Sequence, residues 1–269
     1  MKVAVIQLNA QANKTKNIDK ALLLTGQAIR KKAELVVLPE AFNYRGSFNH
    51  NAFLKIAERI PGETIAPFLS LAKRKKAFIL LGSICEKSRQ RNKAYNTSVL
   101  VDDKGQIAAK YRKKHLFNAI IGKTRTNESQ WFLPGKGLVS ANVKGFKIGM
   151  SICYDIRFPA MYQEYFKEGC CIFTAPSSFT KKTGKAHWEI LLRARAIENL
   201  CYVLAPNQTG IDGKGIASFG NSMIIDPWGD VLARASAGKE EIIYANIKKE
   251  KVLFSRRLLP TSIKKRKEF

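Results

Sequence analysis

Three polar residues of this chain stand where strand-like segments end. Glu40 closes Glu-Leu-Val-Val-Leu-Pro-Glu, residues 34–40; Lys113 lies within Lys110–Phe117 (KYRKKHLF); Cys153 closes Gly-Met-Ser-Ile-Cys, residues 149–153. In open α/β sheets, sites form beyond the carboxyl ends of the strands. A carboxylate, an amine and a thiol converging there would supply a general base, a cation for developing negative charge, and a nucleophile. Residue type and spacing alone leave plainer roles open: a solvated loop glutamate, a surface lysine in a basic run, a core cysteine. The only histidines are His50, His115 and His187, and none has a context that marks it as the partner of a thiol. No His, Cys or carboxylate cluster has metal-ligand spacing, so no metal is expected.

The elements that must position these residues alternate along the chain. Lys2–Leu8 reads as a strand, and Lys16–Lys32 as an amphipathic helix with Ile18, Ala21, Leu22 and Ala28 on one side. Glu34–Glu40 reads as a buried strand, Thr64–Lys76 as a helix, and Phe78–Cys85 and Ala94–Val101 as strands. The turn signal Asp102-Asp103-Lys104-Gly105 joins Ala94–Val101 to Ile107–Lys113 as a β-hairpin. Residues 118–135 show no periodicity and read as a long loop. The second half predicts strands at Phe146–Cys153, Cys170–Pro176, Cys201–Pro206, Asn221–Asp226 and Glu241–Ile247. Its helices begin near Pro159 and span Ala186–Asn199. No Pro-, Gly- or Ser-rich linker divides the chain and no repeat is visible. One domain over residues 1–247 is expected, followed by a basic tail, 248–269.

The 269 residues carry 47 Lys+Arg against 21 Asp+Glu, a formal net charge of +26, with 45% hydrophobic residues. That composition supports a full core and excludes disorder as the main state. Apolar runs fall far short of the ~20 residues of a membrane span. The opening residues read as a strand and not as a signal peptide, which points to the cytoplasm. Five cysteines without a C-x-x-C pattern fit reduced thiols, and the adjacent Cys170 and Cys171 are placed to face opposite ways. The basic residues spread over both halves, without a nucleic-acid-binding motif, so a specific nucleic-acid role is not expected.

LVVLPEAF around Glu40, KYRKKHLF around Lys113 and GMSICYDIRFP around Cys153 resemble, in order, the three signatures of the nitrilase superfamily of carbon–nitrogen hydrolases. The resemblance runs from Lys2 to about Ile247. Further matches are Asn127-Glu128-Ser129, Pro176–Asn199 and Gly220–Leu232, which look most like the branch of deaminated glutathione amidases, with the ω-amidases next. The resemblance implies an α/β fold, a four-layer α-β-β-α sandwich, and a triad of Glu40, Lys113 and Cys153. Lys113, not Lys114, matches the family's Arg-Lys-x-His-Leu-Phe. Strand alternation agrees that only one of the two can enter the site. Glu128 matches a second glutamate near the lysine. Asn118 departs from the usual aspartate after His-Leu-Phe, which bears on the loop that follows.

The chemistry so implied is hydrolysis of a small ω-amide to the acid and ammonia through a thioester on Cys153. Glu40 acts as base, with Lys113 and the Tyr154 N–H as oxyanion donors, and without a cofactor. Arg157 and Tyr44 are the candidate contacts for an anionic substrate. The helix Ala186–Asn199 resembles the family's dimer-forming helix, so a homodimer or larger homo-oligomer is expected. Two other readings stand beside this one: another hydrolase of the superfamily, such as an N-carbamoyl hydrolase or nitrilase, and a non-catalytic nucleic-acid-binding protein on the same scaffold.

Overall fold

Alternation on both faces of the strands dictates the layering. In β1 (Lys2–Gln7), Val3 and Val5 point to one buried cluster and Ala4 and Ile6 to another. Such a strand, apolar throughout, must be covered on both sides. A computed structural model, describing residues 1–47, 56–121 and 124–260, shows how. β2 (Leu35–Val37) and β3 (Phe78–Lys87) lie parallel to β1, followed antiparallel by β4 (Ala94–Val101) and β5 (Ile107–Arg112). The hairpin expected at residues 94–113 is thus present. On the other edge, β14 (Glu241–Asn246) pairs antiparallel with β1.

The second sheet repeats this arrangement. β9 (Phe146–Met150), β10 (Ile172–Thr174) and β11 (Tyr202–Ala205) are parallel. β8 (Ser140–Val143), β12 (Met223–Ile225) and β13 (Val231–Arg234) complete it antiparallel, in the order β13-β12-β11-β10-β9-β8. Both sheets share one core, in which Val3, Val5, Leu35, Leu80 and Tyr111 of the first meet Ile148, Met150, Val203 and Ile225 of the second.

Helices cover the outer faces. On the first sheet, α1 (Lys14–Arg30) and α2 (Ala66–Lys75) bury Ala21, Ala28, Phe68 and Leu71 over Ala4, Val36, Ile79 and Val99. Asn13 caps α1 by accepting the Lys16 N–H at 3.0 Å. On the second, α3 (Pro159–Lys167) and α4 (Lys181–Asn199) bury Tyr162, Tyr165, Trp188 and Leu192. The result is the α-β-β-α sandwich that the sequence resemblance implies.

Besides β8 and β13, which the sequence-based reading did not include, two segments differ from expectation. Residues 118–135 are not one open loop. β6 (Asn118–Ile121) and β7 (Thr124–Asn127) pair as a hairpin, and a single 3-10 turn, Glu128–Gln130, follows. Strands of four residues, Asn-Ala-Ile-Ile and Thr-Arg-Thr-Asn, are too short to establish a hydrophobic alternation, which is why no pattern announced them. Asn118 serves the structure here: its Oδ1 accepts the Ser129 N–H at 3.1 Å. After Ile247, α5 (Lys249–Leu258) lays Val252 into the shared core, and its Arg256 donates to the Cys170 carbonyl at 2.6 Å. Residues 261–269, the rest of the expected basic tail, lie outside the described residues, as does His50. All five cysteines are free. Among the described residues, no helix is long and apolar enough to cross a membrane.

Candidate active site

Glu40 follows β2 by way of Leu38 and Pro39. The chain can pass there only because β3 carries Gly82, whose missing side chain leaves room for the Leu38 and Pro39 carbonyls. Glu40 is then fixed from both sides. Its own carbonyl accepts Gln208 Nε2 at 2.9 Å, and the next N–H, of Ala41, donates to Ser83 Oγ at 2.9 Å. Lys113 leaves the end of β5, its N–H donating to the Asn96 carbonyl at 2.8 Å. The alternation expected along this strand holds: Lys113 is buried and Lys114 is only half-buried.

Cys153 sits at a sharp turn between β9 and a 3-10 segment, Cys153–Arg157. Its φ of 48° is left-handed, a conformation that costs a residue with a side chain roughly 1–2 kcal/mol. Such strain persists only where surrounding contacts over-determine it. They do so here. The Cys153 N–H donates to the Pro176 carbonyl at 2.9 Å. Asp155, fully buried, accepts the Ile152 N–H at 2.9 Å, the Tyr111 hydroxyl at 2.7 Å and the His115 N–H at 2.9 Å, with His115 Nδ1 a further 2.8 Å away. One carboxylate thus ties the cysteine turn to the strand that delivers Lys113.

The three side chains meet on the floor of one cavity of about 410 Å³, within the range of small-molecule sites. Lys113 Nζ lies 2.9 Å from Glu40 Oε1 and 3.0 and 2.9 Å from the two oxygens of Glu128. Asn96 Nδ2 bridges the same carboxylates, 3.0 Å from Glu40 and 3.2 Å from Glu128. The Phe117 N–H donates to Glu128 at 2.6 Å. The Cys153 thiol lies near enough to the Glu40 carboxylate and to the Ser178 N–H for both to act on its titration.

This packing sets the resting protonation. Burial pushes Glu40 up, but the charge and hydrogen bond of Lys113, the thiol and the charge of Arg45 outweigh it and hold the carboxyl below its ordinary range. Burial likewise disfavours the Lys113 ammonium, yet Glu128, Glu40 and Cys153 keep its pKa well above that of a free lysine. Burial and the Glu40 charge push the Cys153 thiol up, against the smaller pull of Lys113 and the Ser178 N–H. The resting site is therefore a thiol beside a carboxylate and not a preformed thiolate. Such a nucleophile reacts as its proton leaves for the base. The Tyr154 N–H lies in the first turn of the 3-10 segment, where backbone donors have no intrahelical partner. Among the described residues no His, Cys and carboxylate group has the makings of a metal site.

Residues 2–257 match the model of the family described as carbon-nitrogen hydrolase. The chain belongs to that family. The hydrolase is 35% identical over 268 residues to the omega-amidase NIT2 of Danio rerio, covering 99% of this chain and 95% of that protein. It is 40% identical over 242 residues to the deaminated glutathione amidase of Mus musculus, covering 88% of this chain and 74% of that one. In structure it superposes on Saccharomyces cerevisiae Nit3, a member of branch 10 of the nitrilase superfamily, with a TM-score of 0.86 at 32% identity. That likeness covers 100% of this chain and 97% of the other.

Of the residues singled out in the sequence, Glu40, Lys113, Cys153, Glu128 and Tyr44 all border the hydrolase's cavity. Arg157 does not. Its guanidinium turns outward to His187, 3.2 Å from Nδ1, and lies over the rings of Tyr154 and Phe179. Sequence distance from the cysteine could not show where a side chain points inside a 3-10 turn. Instead, Arg45, Arg125 and Lys214 bring positive charge to the cavity wall. Asn96 had no sequence signal of its own, and Asp155 and Ser178 were visible only as members of longer motifs without a role assigned.

Asp155→Asn tests the tie between the two halves of the site. The amide keeps one acceptor oxygen, and its NH₂ group faces donors. Each donor left without an acceptor should cost about 1–3 kcal/mol in denaturant unfolding, with turnover falling as the turn relaxes. Unchanged stability together with unchanged turnover would show that the cysteine turn is held by other contacts.

Proposed function

We propose that this carbon–nitrogen hydrolase is a cysteine-dependent amidase. It cleaves a small ω-amide of a carboxylic acid, of the deaminated glutathione or α-keto acid kind, to the acid and ammonia. The observation that carries this reading is the meeting of Glu40, Lys113 and Cys153 on the lining of one cavity, with the Lys113 ammonium 2.9 Å from the Glu40 carboxylate. The relatives named as an omega-amidase and a deaminated glutathione amidase support the substrate class.

In this mechanism Glu40 takes the thiol proton as the Cys153 sulfur attacks the amide carbonyl carbon. Negative charge grows on the carbonyl oxygen, which Lys113 and the Tyr154 N–H receive. Glu40 returns the proton to the amide nitrogen, the C–N bond breaks, and ammonia leaves a thioester. Water then gives a proton to Glu40 and attacks the thioester carbon. The C–S bond breaks and the proton returns to sulfur. Glu128 touches Lys113 and is a positioning residue, keeping the ammonium charged and aimed.

Self-association into a homodimer or larger assembly is part of the same reading. It is supported by Ile190 and Ile197, exposed on α4, and by the exposed Trp228 in the Pro227–Gly229 turn packed against Ile197.

The deciding experiment is ammonia release from an amide panel containing deaminated glutathione, α-ketoglutaramate and succinamate beside carbamoyl amino acids and nitriles. The ω-amide acids should be turned over fastest. A preference for N-carbamoyl substrates or nitriles would move the protein to another branch of the family. Inertness toward every compound would remove the amidase reading.

A further inference from the structure

Glu40, Lys113 and Cys153 follow the ends of β2, β5 and β9, so the cavity sits at the carboxyl ends of strands that run the same way. The opposite pole is built from the starts of those strands. There α1 and α2 both finish, and residues 30–32 (Arg-Lys-Lys) and 73–76 (Lys-Arg-Lys-Lys) contribute seven cations, all exposed. Among the described residues, none of the seven pairs with a carboxylate. The two clusters adjoin: Arg30, Arg74 and Lys75 border one surface groove between the helices, together with Leu22 and Leu71. α5 lies across the same pole. Its approach is pinned beside β1, where the Met1 ammonium donates to the Ile247 carbonyl at 3.0 Å. At the start of β11, the Tyr202 hydroxyl donates to the Lys248 carbonyl at 3.2 Å. Val252 then fills the shared core, and Arg256 reaches the Cys170 carbonyl just before β10. These contacts fix the inward face of the helix. Its outward face, at three- and four-residue spacing, carries Glu250, Leu253, Phe254, Arg257 and Leu258. Leu253, Phe254 and Leu258 are 52%, 51% and 53% exposed. Glu250 is the one acid of the helix, whereas Lys248, Lys249 and Arg257 stand exposed around the stripe.

We propose that this pole docks on an anionic phospholipid surface, with α5 lying in the headgroup layer, its apolar stripe sunk between the lipids, and the cations at the ends of α1 and α2 set against the phosphates. A helix with an apolar stripe ringed by cations lies on a bilayer and does not cross it. Charge complementarity chooses this occupant. A nucleic acid backbone would be held by the cations alone, and the stripe would gain nothing from it. A second copy docked through the same face would bring like charges together, which works against association. An anionic bilayer matches both features, with phosphates for the cations and acyl chains for Leu253, Phe254 and Leu258. The cavity, at the other pole, stays open to solvent in this arrangement. The proposal uses no residue of the cavity and stands apart from the amidase reading.

The test is co-sedimentation of the whole chain with vesicles of phosphatidylcholine, alone or with about 30% phosphatidylglycerol. The wild type should bind the anionic vesicles at least about tenfold more tightly than the neutral ones, and about 0.5 M NaCl should remove most of that difference. Phe254→Ser with Leu258→Ser should weaken binding to the anionic vesicles about tenfold or more, by withdrawing two apolar side chains from the acyl layer. Lys73→Gln with Arg74→Gln should weaken it about twentyfold, at roughly fivefold per cation. Both variants change only exposed side chains far from the cavity, so thermal unfolding and amide turnover should match the wild type. Equal binding to the two kinds of vesicle, or binding to neither, would overturn the proposal. So would anionic-vesicle binding left intact by either pair of substitutions, or tighter binding to a single-stranded RNA than to the anionic vesicles. A dimer that Phe254→Ser with Leu258→Ser splits into monomers in sedimentation velocity would give the stripe to a second copy and overturn it as well. A wild type that bound the anionic vesicles yet hydrolysed no amide would strike the amidase reading alone.

Discussion

Cys153→Ala should release no measurable ammonia from any amide that the wild type hydrolyses, while unfolding within a few degrees of it. Alanine meets the same left-handed strain at φ 48° and removes only one sulfur, so the fold has little to lose. The reaction has everything to lose, because the acyl group has no other acceptor. Cys85 is the one competitor of substance, since it also borders the cavity. It is buried, whereas Cys153 is half-buried and has the Glu40 carboxylate beside it as a base. Cys170, Cys171 and Cys201 are buried in the shared core. Mass spectrometry after treatment with iodoacetamide should therefore place the first adduct on Cys153, and Glu40→Gln should slow that alkylation by removing the base. A first adduct on Cys85, or turnover retained in Cys153→Ala, would refute the thioester route.

Lys113→Ala should separate two losses that one residue joins. As an oxyanion donor its removal should cost about 10²–10³ in kcat. As the cation between Glu40 and Glu128 it does a second job. Removing it leaves two carboxylates together in a buried site, and breaking a buried ion pair from one side costs about 3–5 kcal/mol. Without the ammonium, burial governs Glu40 and its pKa rises, so the acid limb of kcat/KM should move to higher pH. Lys114→Ala should change turnover by no more than about twofold, within the span of an ordinary surface substitution. Equal effects of the two substitutions would show that the lysine entering the site had been misassigned. A rate loss without a stability loss would show that the two carboxylates do not depend on the ammonium.

How much of this could be read from the sequence follows from how local each signal is. Glu40, Lys113 and Cys153 each close a strand and sit in short runs that resemble family signatures, so both their elements and their convergence were legible. The choice of Lys113 over its neighbour followed from the match to Arg-Lys-x-His-Leu-Phe, alternation adding only that one of the two can enter the site. Asn96, which bridges Glu40 and Glu128, lies inside a strand where asparagine has no distinguishing neighbour. Asp155 is visible in the cysteine motif, yet its contact with Tyr111 spans 44 residues, a distance no pattern reports. Arg157 was taken for a substrate contact because it follows the cysteine closely. Lys214 was passed over because it sits in a Gly-rich turn, Gly213-Lys214-Gly215, that reads as a connection. The β6–β7 hairpin escaped for a related reason, since two strands of four residues each are too short to leave a period.

The pairing of β1 with β14 carries a consequence for how the polypeptide is made. β1 has β2 on one side, available early, but its other edge is satisfied only by Glu241–Asn246, with Lys2 opposite Asn246 and Gln7 opposite Glu241. On a ribosome that releases the chain from its N-terminal end, β1 must wait until β14 has emerged with one row of backbone groups open. Contacts this distant in sequence also slow folding, because a long loop must close before they form. The buried alternation of Val3, Ala4, Val5 and Ile6 makes that waiting edge apolar on both faces, the kind of strand that pairs with whatever chain it meets. A nascent chain cut before Glu241 would keep that edge open, and its first demand on the cell would be a chaperone before it was ever a substrate.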